Sequence, residues 1–102
     1  MPDWLRLFQA AVDPADLEDV VRLFTEDVKP VFDQLPGCLG IELLVNVDRQ
    51  AGGLVEGAAI SRWRSREDLE RALQNPDVAK AQTRVRELLR QEPVSKTFQV
   101  LE

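Results

Sequence analysis

The period of the hydrophobic pattern switches between two and about 3.6 along this chain, and the switches delimit its elements. Residues Trp4 to Val12 are apolar except for Arg6 and Gln9. This predicts a first strand, buried on one face and partly on the other. Asp13-Pro14 then opens a helix. Asp13 suits the N-cap, Pro14 suits the first helical position, and Asp16 and Glu18 favour the positive end of the dipole. Leu17, Val20, Val21, Phe24, Val28, Val31, Phe32 and Leu35 recur at spacings of three and four. They predict one long amphipathic helix, with Pro30 kinking or shortening its last turn.

Pro36-Gly37 ends that helix. From Leu39 to Val47 the odd positions are Leu39, Ile41, Leu43, Val45 and Val47, and the even positions are Gly40, Glu42, Leu44 and Asn46. Alternation predicts a strand whose odd set meets a hydrophobic layer and whose even set forms a mixed face. Arg49 to Gly53 reads as a hairpin turn, with Gly52-Gly53 supplying positive φ. Leu54 to Arg64 reads as the third strand, where the small Gly57, Ala58 and Ala59 let something large approach. Ser65-Arg66-Glu67-Asp68 resembles a capping box with Asp in the usual place of Glu or Gln. Leu69, Ala72 and Leu73 mark the buried side of the helix it opens. Asn75-Pro76 restarts a helix, whose apolar stripe runs through Val78, Ala81, Val85, Leu88 and Leu89 to about Gln91. Pro93 closes it, and Val94 to Leu101 reads as a final strand with Phe98 and Val100 on one face.

The predicted order is β-α-β-β-α-β. This is an α+β, ferredoxin-like arrangement, an antiparallel sheet with the helices on one face. The other face is left open and exposes Leu44 and a share of strands one, three and four. A partly apolar open face on a small domain marks an interface. A homodimer is therefore expected through that face, with two sheets packed together.

Composition narrows the function. A chain of 102 residues makes a single domain, 1–102. A net charge of −5 argues against a nucleic-acid partner. No apolar run approaches the roughly 20 residues of a membrane span, and no secretory signal is expected. The one cysteine, Cys38, cannot form an intrachain disulfide, which suits a reducing cytoplasm. There is no histidine and no tyrosine. That excludes Ser-His-Asp and Cys-His catalysis and removes the commonest metal and haem ligand. No metal and no cofactor is expected.

Three stretches together resemble a known family. They are the long first helix leading to Pro36–Gly40, the hairpin, and AISRWRSREDLERAL from Ala59 to Leu73. They are similar to the antibiotic biosynthesis monooxygenase domains of the dimeric α+β barrel superfamily, over essentially the whole chain. The resemblance implies a homodimer with a cleft between each sheet and its helices. It implies one of several activities: cofactor-free oxygenation of aromatic polyketides, quinol oxidation, haem degradation, or none. Haem-degrading members carry a Trp and a His that fall here near Ala72 and near Gln82 or Thr83, which speaks against haem degradation. Polyketide-oxidising members match at Trp63 and at Arg84 or Arg86. Their Asn four residues before the Trp is here Ala59, and their helical Tyr is about Leu69.

The expected function is that of a cofactor-free monooxygenase or quinol-oxidase-like protein acting on a small aromatic substrate. The alternative is a non-catalytic dimeric module that binds a small molecule or regulates a partner. The candidate catalytic residues are Trp63 as a pocket wall, Arg62 as a counter-charge for an anionic substrate, and Glu42 as a base. Asn46, Phe8 and Arg84 are candidate ligand contacts. Plainer roles are open too: Trp63 as a core or interface anchor, Arg62 in a salt bridge, Glu42 paired with Arg6 or Arg62 across the sheet or the dimer, Asn46 at a strand edge, Phe8 in sheet packing, and Arg84 in the solvated, salt-bridged surface read for the Arg residues generally. Cys38 reads as a small buried residue after a turn.

Overall fold

Asp13 ends the first strand and starts the helical layer, because its side chain accepts the Ala15 N–H and Pro14 follows it. The computed structural model describes residues 3–48 and 51–102. Strand β1 spans Trp4–Val12. A short 3-10 turn, Pro14–Asp16, leads into α1, Leu17–Leu23. Five residues, Phe24–Val28, then widen into a π turn before α2, Lys29–Asp33. Pro30 explains the widening. Its ring crowds the carbonyl four residues back, that of Glu26, and it has no N–H to offer. A turn in which the Lys29 N–H reaches the Phe24 carbonyl makes room without ending the helix. The expected long helix is therefore continuous but not uniform, and Leu35 lies beyond its end.

Strand β2 is Cys38–Val45 and β3 is Val55–Trp63. The expected turn residues Arg49 and Gln50 lie outside the described residues, while Gly52 and Gly53 take positive φ of 79° and 75°. Ser65 caps α3, Arg66–Leu73, by accepting the Asp68 N–H. The reciprocal contact is not that of a standard capping box: the Ser65 hydroxyl donates to the Asp68 carboxylate at 3.0 Å. Asn75 caps α4, Pro76–Arg86. This helix stops short of Gln91. Leu88 and Leu89 bond three residues back and the Arg90 N–H goes to the Ala11 carbonyl of β1, so the helical ladder cannot continue. Strand β4, Val94–Gln99, completes the sheet.

The strand order is β2-β3-β1-β4 with every neighbour antiparallel. This is the ferredoxin-like fold. Directly opposed residues share a face, so the register divides the sheet. Trp63, Ser61, Ala59 and Gly57 of β3 face the same way as Trp4, Arg6, Phe8 and Ala10 of β1, and as Ile41 and Leu43 of β2. Ile41 and Trp63 are packed with Val28, Phe32, Leu69, Ala72, Val78 and Ala81 in one buried cluster, so all helices cover this face. The opposite face carries Leu5, Leu7, Leu44, Ile60 and Phe98, and no helix among the described residues covers it. Leu44 and Phe98 are 43% and 47% exposed.

One detail of β2 departs from strict alternation. A register shift between Cys38 and Gly40 puts Cys38, not Leu39, opposite Trp63. Leu39 is left 47% exposed, and Val47 lies past the strand end at 90% exposed.

Candidate functional site

A cavity of about 630 Å³ lies between the helical layer and the covered sheet face. The sheet supplies its floor in rows of opposed residues: Val12 with Val55, Ala10 with Gly57, Phe8 with Ala59, and Arg6 with Ser61. Rows on one face are two residues apart, so four rows give a floor about 20 Å long. Gly57 and Ala59 keep the middle of it low. Phe24, Val28, Val85 and Leu89 are among the apolar side chains that roof it. The π turn thus forms part of the cavity wall. Polar lining is sparse: Arg6, Thr25, Lys29, Glu42, Ser61 and Gln82.

The row of Arg6 and Ser61 ends the floor, since the next row, Trp4 and Trp63, does not border the cavity. Trp63 is fully buried. It meets Phe32 edge-on with ring centroids 6.1 Å apart. Its indole N–H donates to the Ser61 hydroxyl oxygen at 2.8 Å. Arg6 donates to the Thr97 hydroxyl of the edge strand β4, on the side away from β3, at 2.9 Å. Lys29, the other cation at the cavity, is paired with Asp33 at 3.3 Å.

The six residues singled out from the sequence do not converge. Trp63 is a core anchor behind the cavity wall, because its large ring is enclosed by α2, α3 and the sheet. Arg62 projects from the opposite, open face and pairs with Asp3 at 3.0 Å. Glu42 is exposed and pairs across to Ile60 on that open face, although it borders the cavity where β2 forms the sheet edge. Within this chain neither Arg6 nor Arg62 pairs with Glu42, whereas the salt bridge expected of Arg62 is present. Phe8 lines the cavity floor. Asn46 binds its hairpin partner, donating to the Glu56 carboxylate at 3.0 Å. Arg84 is exposed on α4 and pairs with Asp27 at 3.0 Å, tying α4 to the π turn.

Arg6 and Ser61 were not candidates on sequence grounds. Their signal is their parity with Phe8 and Trp63, which becomes visible only once the register is known. Cys38 is partly buried and its thiol donates weakly to the Gly40 carbonyl. Burial pushes its pKa above the ordinary 9.0, so it is a poor nucleophile at neutral pH. Among the described residues, no three His, Cys, Asp or Glu side chains gather as a metal site. None of their helices is long and apolar enough to cross a membrane.

Comparison with known proteins places this architecture. Rv0793 of Mycobacterium tuberculosis superposes with a TM-score of 0.73 at 20% identity, covering 98% of this chain and 96% of that one. SnoaB of Streptomyces nogalater, a cofactor-independent oxygenase studied as an Asn-to-Ala mutant, gives a TM-score of 0.77 at 20% identity, covering 98% and 94%. An anthrone oxidase-like protein gives 0.80 at 22% identity, and this chain matches 45% of its length. At these identities the likeness concerns the fold. No curated protein matches the sequence. The family model described as antibiotic biosynthesis monooxygenase matches residues 5–84. With strand order, cavity and family model in agreement over most of its length, this chain belongs to the antibiotic biosynthesis monooxygenase family.

Proposed function

We propose that the protein is a cofactor-free oxygenase of a small aromatic substrate of the anthrone or hydroquinone type, acting as a cytoplasmic single-domain homodimer. The observation that carries this reading is the open, apolar cavity over Gly57 and Ala59. Its volume of about 630 Å³ falls within the roughly 300–1,000 Å³ of small-molecule sites. A filled space there would have favoured a purely structural domain. The known activity of SnoaB as a cofactor-independent oxygenase supports the reaction class, and the absence of histidine is compatible with it.

The chemistry asks little of the protein. An anthrone gives up a ring C–H proton to a solvent water and becomes an electron-rich anion, and a proton returns from solvent when one oxygen atom of O₂ leaves as water. The anion reduces oxygen, a carbon–oxygen bond forms, and loss of water leaves the quinone: one anthrone and one O₂ give one anthraquinone and one water. The protein supplies a dry, oriented enclosure. Phe8 and the roofing side chains hold the ring system, and Trp63 acts indirectly by fixing the end of the floor. Arg62 and Glu42 lie on the face buried by the homodimer.

A second reading, a small-molecule-binding module without catalysis, has its own support. Among the described residues that line the cavity, Glu42 is the one carboxylate and it is exposed. Oxygen uptake with anthrones and hydroquinones separates the two. Saturable uptake above the spontaneous rate is expected, and Ala59→Phe, which fills the cavity floor, abolishes it while the melting temperature holds. Uptake no faster than buffer for both substrate classes overturns the oxygenase and leaves the binding module.

A further inference from the structure

We infer that Arg6 and Ser61 form an oxyanion-binding pair at the end row of the cavity floor, so that the ligand is an aromatic molecule carrying a carboxylate or phenolate. The inference rests on the cavity being a ligand site, as proposed above, and adds what the ligand must carry. Ser61 is the one buried polar residue among the described residues, 3% exposed. Its oxygen already accepts the Trp63 indole N–H at 2.8 Å. Its own hydroxyl proton has no acceptor among the described residues, yet the side chain borders the cavity. An indole N–H only donates, so Trp63 leaves Ser61 as a donor toward the cavity and holds it in place.

Arg6 stands directly opposite Ser61, where cross-strand Cβ atoms lie about 4.5–5.5 Å apart. One guanidinium N–H goes to the neutral Thr97 hydroxyl at 2.9 Å, which orients the group without neutralising it. Lys29 is already paired with Asp33. Arg6 is thus the cavity-lining cation with no carboxylate partner among the described residues. Thr97 lies on β4 and Ser61 on β3, so Arg6 sits in the strand between them. A guanidinium with N–H groups to spare, on the same face as a hydroxyl donor, suits an oxyanion that reaches from one to the other at the end of an apolar trough.

The test is calorimetric titration of the full chain with three ligands sharing one ring system: a naphthalene carboxylate, its neutral carboxamide, and a naphthol. The carboxylate is expected to bind about tenfold or more tightly than the carboxamide, the worth of one charged hydrogen bond. A naphthol is uncharged until the pH nears its phenolic pKa, about 10. Naphthol binding that tightens only toward that pH identifies a phenolate as the recognised group, and a preference for the neutral naphthol overturns the oxyanion pair. Arg6→Gln is expected to erase the preference while the carboxamide binds as before. Ser61→Ala is expected to weaken the anion selectively, but it strips Trp63 of its acceptor. Thermal unfolding is therefore followed alongside, and Arg6→Gln carries the test alone if Ser61→Ala does not fold.

Equal affinity for carboxylate, naphthol and carboxamide overturns the oxyanion pair and leaves the cavity reading intact. Preference retained in Arg6→Gln also overturns it. No binding of any of the three overturns both. Anion preference without oxygen uptake keeps the pair and removes only the oxygenase.

Discussion

Gly37 has a φ of +79°, and a Cβ built there would run into the Asp68 side chain. Asp68 is not free to move away, since it receives the Ser65 hydroxyl and closes the cap of α3. The Gly37 carbonyl also accepts the Arg64 N–H at 2.8 Å, joining the β2 entry to the end of β3. Gly37→Ala therefore meets two costs, left-handed backbone at about 1–2 kcal/mol and a displaced cap. It is expected to lower stability by more than the backbone cost alone in urea denaturation. The Asp68 Cβ is itself part of the clash, so adding Asp68→Gly should recover part of the loss, whereas strict additivity would disprove the steric coupling. Pro36-Gly37 was readable as a helix stop, because glycine after a helix is a common signal. The contact with Asp68 was not, since the two residues meet only when α3 folds over the start of β2. Ser61 makes the same point at the site. Its type is unremarkable in a strand, and its importance comes from a tryptophan two positions on, whose indole N–H takes up its oxygen as acceptor.

At the scale of elements, local signals were the dependable ones. Asp13, Ser65 and Asn75 each cap the helix expected of them, because a short polar side chain before the first turn has an immediate use for its oxygen. Asn75 accepts the Asp77 N–H at 2.8 Å and also ends the link between α3 and α4. Asn75→Ala is expected to cost about 1 kcal/mol, and Asn75→Ser to retain most of it. A loss as large in the serine variant would show that the asparagine acts through something other than its cap. What local signals missed were events set by contact between elements. The π turn answers Pro30, α4 ends where β1 takes the Arg90 N–H, and the bulge at Cys38–Gly40 exposes Leu39. The small residues Gly57 to Ala59 and Phe8 were singled out from the sequence, but that Gly57 and Ala59 share the covered face with Phe8 while Ala58 does not follows from the register. The depth of the cavity was not legible, because empty volume depends on how far α1 and α4 stand from the sheet. Arg62 fell on the wrong face for a cavity residue by the same alternation that placed Trp63 next to it.

For the whole molecule, the uncovered sheet face decides the state in which the protein works. Leu5, Leu7, Ile60, Leu44 and Phe98 share it. A thin one-layer helix cover leaves a chain of 102 residues with little core to spare. Burying this face against its own copy would remove apolar surface from both chains, and a stable pair needs about 800 Å² from each. The ion pair of Arg62 with Asp3 would then sit at the rim. Leu44 and Phe98 are the places to interrupt the contact, because each is already 43–47% exposed in the single chain. A charge there should be tolerated by the monomer and resisted by the pair. Light scattering is expected to give the mass of two chains for the parent protein and of one chain for the Leu44→Glu, Phe98→Glu double variant, with unchanged circular dichroism. A single-chain mass for the parent at high concentration would sink the dimer. The same variant probes the site from behind, since Leu44 and Glu42 border the cavity along the edge of β2. If the dimer closes that edge, separating the chains should weaken ligand binding even though Arg6 and Ser61 are untouched. If binding survives separation, the cavity is complete within one chain and the dimer serves stability alone.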